Sequence, residues 1–391
     1  MRKHVLSILR SDLAKNSSII FIALFSSGII MFLAELYLSN ILGPVVFGRF
    51  KTIIYLFTFL PLLIELGIDT TLIKYVSEFG SRSKEKIGYL VKWFLKLRVG
   101  SYAVLMVLVL LFREELSFIF LKDASLSYLI IGGIFLGTLL VFNTFVSIVI
   151  GYQKFKLSAI TYFLNSTMSS ILGILLIPFG LFYIVIGWAL GPLIGNLLNI
   201  KFFFDRKITR KTKEFDIKKI FWKFSMPIYL TNIPAALLSF IVPFLSLFFS
   251  QLLIGYFSFA FIFYAATLMV SNAISIVLFP KVSELNGLKK HGVAKGILKK
   301  VFLLYTFVVI LGIIFVVLIS DWFFNLFFES YLPSLFMFKV LVIVGLFLGY
   351  NTIYVNYLKG LGKIKKFAIF TLSQNVLLLV ISFLLLSVST L

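Results

Sequence analysis

Gly151-Tyr152-Gln153-Lys154-Phe155-Lys156-Leu157-Ser158-Ala159 returns later in the chain as Gly360-Leu361-Gly362-Lys363-Ile364-Lys365-Lys366-Phe367-Ala368. The shared pattern is Gly-x-x-Lys-x-Lys-x-x-Ala, displaced by 209 residues (151 to 360). Two further matches lie upstream at nearly the same displacement. Val76-Ser77-Glu78 returns as Val282-Ser283-Glu284, 206 residues on (76 to 282). Gly48 of LGPVVFGRF lines up with Gly255 of QLLIGYFSF, 207 residues on (48 to 255). Three matches in one order at one offset mark two similar halves joined near residue 210. Nearly everything between the matches is apolar.

Composition places those halves in lipid. Hydrophobic residues make up 61% of the 391 and charged residues 13%. A soluble domain carries nearly twice that charge. Mean hydropathy is +1.08. There is no cysteine, so no disulfide framework, thiolate metal site or Cys nucleophile exists. The two histidines, His4 and His291, sit in Lys-rich surroundings, and no metal centre is expected. The first apolar run is too long for a cleaved signal and reads as a retained span.

A helix needs about 20 apolar residues to cross the hydrocarbon core. Eleven segments qualify: 18–42, 50–73, 93–112, 126–150, 157–179, 181–203, 224–249, 252–280, 301–320, 333–358 and 367–388. Their long, uniform apolarity excludes the alternating pattern of barrel strands. With the N-terminus taken as cytoplasmic, 32 of the 37 Lys and Arg fall on inner segments. Only Arg49, Lys51, Arg113 and Lys122, at outer ends and loops, and Lys339, inside a span, do not. That asymmetry fixes the expected topology. It also explains the net charge of +22 as an anchor on anionic lipid rather than a nucleic-acid surface. The most charged stretch, 204–223, is the expected cytoplasmic linker. It divides an N-terminal lobe, 1–203 with spans 1–6, from a C-terminal lobe, 224–391 with spans 7–11. Six spans return the chain to its starting side, so the repeats run parallel. The first fifteen residues read as a short interfacial amphipathic helix.

The repeated motifs resemble those of the polysaccharide-flippase branch of the multidrug/oligosaccharidyl-lipid/polysaccharide exporter superfamily, which includes the O-antigen flippases. The residues that carry the resemblance span nearly the whole chain. They are Leu42-Gly43-Pro44-x-x-Phe47-Gly48, Leu66-Gly67-Ile68-Asp69 running into Tyr75-Val76-Ser77-Glu78, and Ser225-Met226-Pro227. Leu278-Phe279-Pro280-x-Val282-Ser283-Glu284 and the two Gly-x-x-Lys turns complete the set. The family usually has twelve or more spans, one more than is counted in this chain. The resemblance implies an all-α polytopic membrane protein, with two parallel helical-bundle repeats around a central cavity. It implies movement of a polyprenyl-linked glycan from the inner to the outer leaflet of the cell membrane, for surface polysaccharide biosynthesis.

Several polar residues within spans are candidates for that work. Glu35 lies beyond the midpoint of span 1, where a carboxylate costs about 2.5–3.5 kcal/mol on insertion scales. It reads either as a binding or coupling group or as one half of a helix–helix hydrogen bond. Glu65 and Asp69 are four apart on span 2 and share a face of a continuous helix. Lys92, Lys96 and Arg98 lie at similar depth, so Glu65, Asp69, Lys96 and Arg98 read as a structural ion-pair group or a cytoplasmic gate. Lys339 offers an ammonium for pyrophosphate or a side chain that snorkels outward. Asn232, Asn272 and Asn351 carry amides suited to sugar hydroxyls and equally to gluing helices together. Asn232 stands among Pro227, Pro234 and Pro243, which bend span 7.

No P-loop, dinucleotide turn or extramembrane carboxylate pair is present in the sequence, and neither enzymatic activity nor a cofactor is expected. An alternating-access flippase working as a monomer, with lipid and the lipid-linked glycan as its partners, is the leading expectation. An ion-coupled drug antiporter of the same superfamily is the alternative.

Overall fold

The computed structural model describes residues 12–82, 84–122, 126–205, 208 and 213–388. The described chain is helical throughout: α1 (Asp12–Phe59), α2 (Ile68–Arg82), α3 (Lys84–Leu111), α4 (Leu126–Gly151), α5 (Phe155–Leu175) and α6 (Leu181–Asp205), then α7 (Met226–Ser246), α8 (Gln251–Gly287), α9 (His291–Ile314), α10 (Leu335–Gly360) and α11 (Ile364–Val388). Among the described residues, nine helices are long and apolar enough to span a membrane. The first, Ile22–Ile64, covers most of the first and most of the second expected span, and α7 accounts for the seventh. The eleven expected segments are therefore all helical. The amphipathic segment expected over the first fifteen residues falls mostly outside the described residues, as does part of the 204–223 linker.

Gly43 explains why two expected spans appear as one helix. Its φ of 68° and ψ of 169° belong to glycine alone, and Pro44 follows with no N–H to give. The chain turns there. Pro44 has no N–H for the Asn40 carbonyl four residues back, and the Tyr331 hydroxyl donates to the neighbouring Ser39 O at 2.9 Å.

By contact the chain forms two compact units. One holds residues 1–34 and 53–239, the other 35–52 and 240–391. In the first, Leu72, Val76, Leu90, Phe94 and Ile148 are buried in one core. In the second, Tyr331 stacks on Phe259 with ring centres 4.2 Å apart, beside Phe324 and Phe328.

The repeat is visible as contacts that recur in each unit. Gly151 of α4 leaves room only for Val76 of α2, and Gly360 of α10 only for Val282 of α8. Gly132 packs under the Phe57 ring as Gly345 packs under Tyr264. Tyr102 Oη donates to Gly133 O at 3.0 Å, and Tyr305 Oη donates to Leu346 O at 3.0 Å. The two Gly-x-x-Lys turns are the same helix stop. Lys154 N donates to Val149 O and Gln153 N to Ile150 O, with Gln153 left-handed at φ 59°. Lys363 N donates to Leu358 O and Gly362 N to Lys359 O, with Gly362 left-handed at φ 73°. Both are Schellman caps.

The motif glycines Gly48 and Gly255 make a backbone-to-backbone contact within the second unit. A Cβ on Gly48 would strike Gln251 O and the Gly255 backbone, and one on Gly255 would strike Pro44 O. Pro44 and Gln251 are themselves related by the 207-residue displacement (44 to 251). The contact is thus reciprocal, as at a local two-fold axis. Small residues permit this approach of helices in lipid.

Candidate functional site

The described residues place the candidate side chains in five separate settings, and they hold no cluster of possible metal ligands. The first setting is a break in the second span. Gly48 to Val76 is 28 residues, while Gly255 to Val282, with matching contacts at both ends, is 27. The extra residue is accommodated at Glu65–Gly67, where Leu66 (φ 50°) and Gly67 (φ 67°) are left-handed. This corrects the expectation of one continuous helix carrying Glu65 and Asp69 on one face. Glu65 closes one helical piece, and Asp69 opens α2.

Two motifs noted separately in the sequence meet at this break. Gly67 has no room for a Cβ against the Ser225 carbonyl. Ser225 Oγ donates to Leu66 O at 2.7 Å. The Thr71 hydroxyl donates to Gly67 O at 2.7 Å and lies 3.0 Å from Ser225 Oγ. The start of α7 therefore caps the polar groups freed by the break, which would otherwise be orphaned.

Arg98 of α3 reaches the same point. Its Nη2 pairs with Asp69 Oδ1 at 2.5 Å, and the residue is 3% exposed. Its Nε and Nη1 are buried and make no hydrogen bond among the described residues. A guanidinium with spare donors in so dry a place exerts a field on every nearby carboxylate. Glu65 is close enough to feel both Asp69 and Arg98. Lys96 is exposed and does not join them.

Glu35 sits in the second setting. Its Oε1 accepts from Lys51 Nζ at 2.6 Å, with the Lys51 side chain 2% exposed and that of Glu35 18%. Gly43 lies midway between them, so the turn itself brings them together. Lys51, placed by the sequence at an outer end or loop, is a buried cation with its ammonium 5.7 Å from the Phe47 ring centre. The signal was its equal distance from the turn.

Lys339 pairs with Asp321 at 2.7 Å, with both side chains partly exposed. Asn351 Nδ2 donates to Gln374 Oε1 at 2.6 Å and so ties α10 to α11. Asn232 lies on α7, and its side chain is outside those described. Asn272 is exposed on α8 and lines a cleft of about 390 Å³ with Ser275, Phe279, Asn356 and Lys359. Of these, Ser275 and Lys359 were not singled out by the sequence.

Comparison with known proteins gives a family and a fold. A family model described as "Polysaccharide biosynthesis protein" matches residues 13–286. No curated protein matches the chain. A solved structure of the lipid II flippase MurJ in an inward closed conformation aligns with a TM-score of 0.66 at 16% identity, covering 95% of this chain and 87% of that one. A multidrug resistance MATE family transporter of the MOP superfamily, inward-facing, gives 0.63 at 12% identity, covering 94% and 95%. A MATE structure in complex with MaL6 gives 0.64 at 14% identity, covering 98% of each chain. At such identities these likenesses establish the fold alone.

Proposed function

Because the chain belongs to the polysaccharide biosynthesis protein family, matched over residues 13–286, we propose that it is a flippase for lipid-linked oligosaccharide or polysaccharide repeat units. It carries the glycan headgroup across the cytoplasmic membrane by alternating access while the polyprenyl tail stays in lipid. The observation that carries this reading is the family match combined with a lipid II flippase among its structural neighbours. The Lys/Arg-rich ends of the helices face the cytoplasm, which puts the N-terminus there too. On this reading the chain is a transporter rather than an enzyme and works as a monomer.

The buried ion pairs Asp69–Arg98 and Glu35–Lys51 have roles that follow from their placement. Asp69–Arg98, with Glu65 across the helix break, lies near the cytoplasmic end and holds α2 to α3. Glu35–Lys51 locks the turn at Gly43 on the outer side. Both are charge pairs in low dielectric, where a change of partner is costly enough to separate two states.

A deletion strain tests the function. Lipid-linked glycan should accumulate on the cytoplasmic leaflet and surface polymer should disappear, while glycan synthesis continues. Failure to make the glycan at all would support an enzyme instead. The likeness to a multidrug transporter favours a second reading, an ion-coupled drug antiporter. Its test is dye efflux from energised cells, which the flippase reading expects to be unaffected by deletion.

A further inference from the structure

The residues that line the cleft in the second unit differ in charge from those at the corresponding positions of the first. On α8, Asn272, Ser275 and Phe279 occupy one helical face, and Asn356 and Lys359 face them from α10. The displacement of 206 that relates Val76 to Val282 also relates Asp69 to Ser275 (69 to 275). Asn272 falls at the Glu65–Leu66 break. Where the first unit has two carboxylates and closes the site with buried Arg98, the second has an amide, a hydroxyl and an ammonium.

That ammonium has no countercharge among the described residues. Lys359 makes no ion pair among the described residues, and its Nζ lies 5.6 Å from the Phe279 ring centre and 5.5 Å from that of Phe367. The Asn272 amide makes no hydrogen bond among the described residues. Asn356 uses one N–H on Thr352 O and keeps its carbonyl oxygen, and Ser275 donates to Ser271 O and keeps its lone pairs. An uncompensated cation, a free amide, spare acceptors and an aromatic wall meet in about 390 Å³. That volume suits one small polar group. An ammonium is a mobile point charge for phosphate, and amides meet hydroxyls as both donor and acceptor.

We propose that this cleft binds a phosphate-linked sugar. Lys359 takes the phosphate, and Asn272 and Asn356 take hydroxyls of the adjoining ring. The proposal rests on the flippase reading and names the part of the substrate that the second unit grips. The same chemistry occurs in a phospholipid headgroup, so the experiment separates the two sources.

The full-length protein in phosphatidylcholine nanodiscs is titrated with farnesyl-diphospho-N-acetylglucosamine by microscale thermophoresis. Lys359→Gln should weaken binding about tenfold, as loss of a hydrogen bond to a charged group does. Lys359→Arg should restore most of it. Asn272→Leu should weaken binding several-fold without changing thermal stability, because its amide holds nothing else, and Lys366→Gln should change nothing. Farnesyl diphosphate lacking the sugar should bind more weakly than the probe and lose its dependence on Asn272. Wild-type affinity in both Lys359→Gln and Asn272→Leu would overturn the proposal. So would equal binding of the two farnesyl probes together with full competition by phosphatidylglycerol, which would assign the cleft to a lipid headgroup. In either case the flippase reading would stand or fall separately, on where the glycan accumulates in the deletion strain.

Discussion

Glu35 and Lys51 form one charge pair, brought together by the turn at Gly43. A carboxylate in the first span is conspicuous in sequence because of its cost. Its partner was hidden because Lys51 follows a polar turn and looks like a loop residue. Only the turn at Gly43 reveals that the two meet at 2.6 Å. Glu35→Gln therefore does more than remove a titratable group: it takes away the carboxylate that the buried Lys51 ammonium meets at 2.6 Å. Removing one member of a buried pair costs about 3–5 kcal/mol. The protein level and the thermal midpoint in detergent should both fall. Adding Lys51→Met should recover most of the loss, since a buried pair is often replaced by apolar residues at little cost. If Glu35→Gln alone is as stable as wild type but transports poorly, Glu35 acts in coupling or binding rather than as a lock. Asp69–Arg98 was more legible, because sequence depth already placed the two together. The cleft around Asn272 was not, since Lys359 lies on another helix and nothing in the spacing links the two.

At the scale of elements, hydrophobic run length revealed the helices, and motif spacing revealed their pairing. What it could not reveal was the break at Glu65–Gly67. One extra residue between two fixed contacts must go somewhere, but only the contacts show that they are fixed. Two glycines separate strain from crowding. Gly67 and Gly362 are both left-handed, at φ 67° and 73°. A Cβ on Gly67 meets the Ser225 carbonyl, whereas one on Gly362 meets nothing within 4 Å. Gly362→Ala should cost only the left-handed penalty, about 1–2 kcal/mol. Gly67→Ala should cost clearly more and also loosen the Ser225–Leu66 hydrogen bond. A smaller shift in melting temperature for Gly67→Ala than for Gly362→Ala would refute the packing of α7 on the break. The matching turn offers the converse change. Gln153 is exposed and left-handed where its repeat partner is Gly362. Gln153→Gly should stabilise the α4 stop by about 1 kcal/mol, seen as a higher melting temperature.

For the whole molecule, orientation and repeat direction make one joint prediction. If the repeats run parallel, the α4–α5 turn and the α10–α11 turn lie on the same side of the membrane, because they are the same element in each half. If they were inverted, the turns would lie on opposite sides. By the positive-inside rule, the distribution of Lys and Arg predicts both turns in the cytoplasm and Lys122, between α3 and α4, outside. The chain has no cysteine, so single cysteines can be introduced without removing any. Lys154, Lys363 and Lys122 are all exposed and make suitable sites. In intact cells a membrane-impermeant maleimide should label Lys122→Cys and spare both Lys154→Cys and Lys363→Cys. In inverted vesicles the pattern should reverse. Labelling of both turn cysteines from outside would invert the topology but keep the repeat parallel. Labelling of one and not the other would break the parallel repeat. The shared contacts, Val76 with Gly151 and Val282 with Gly360, lie within each unit and hold for either repeat direction, so the labelling pattern is what decides between parallel and inverted repeats.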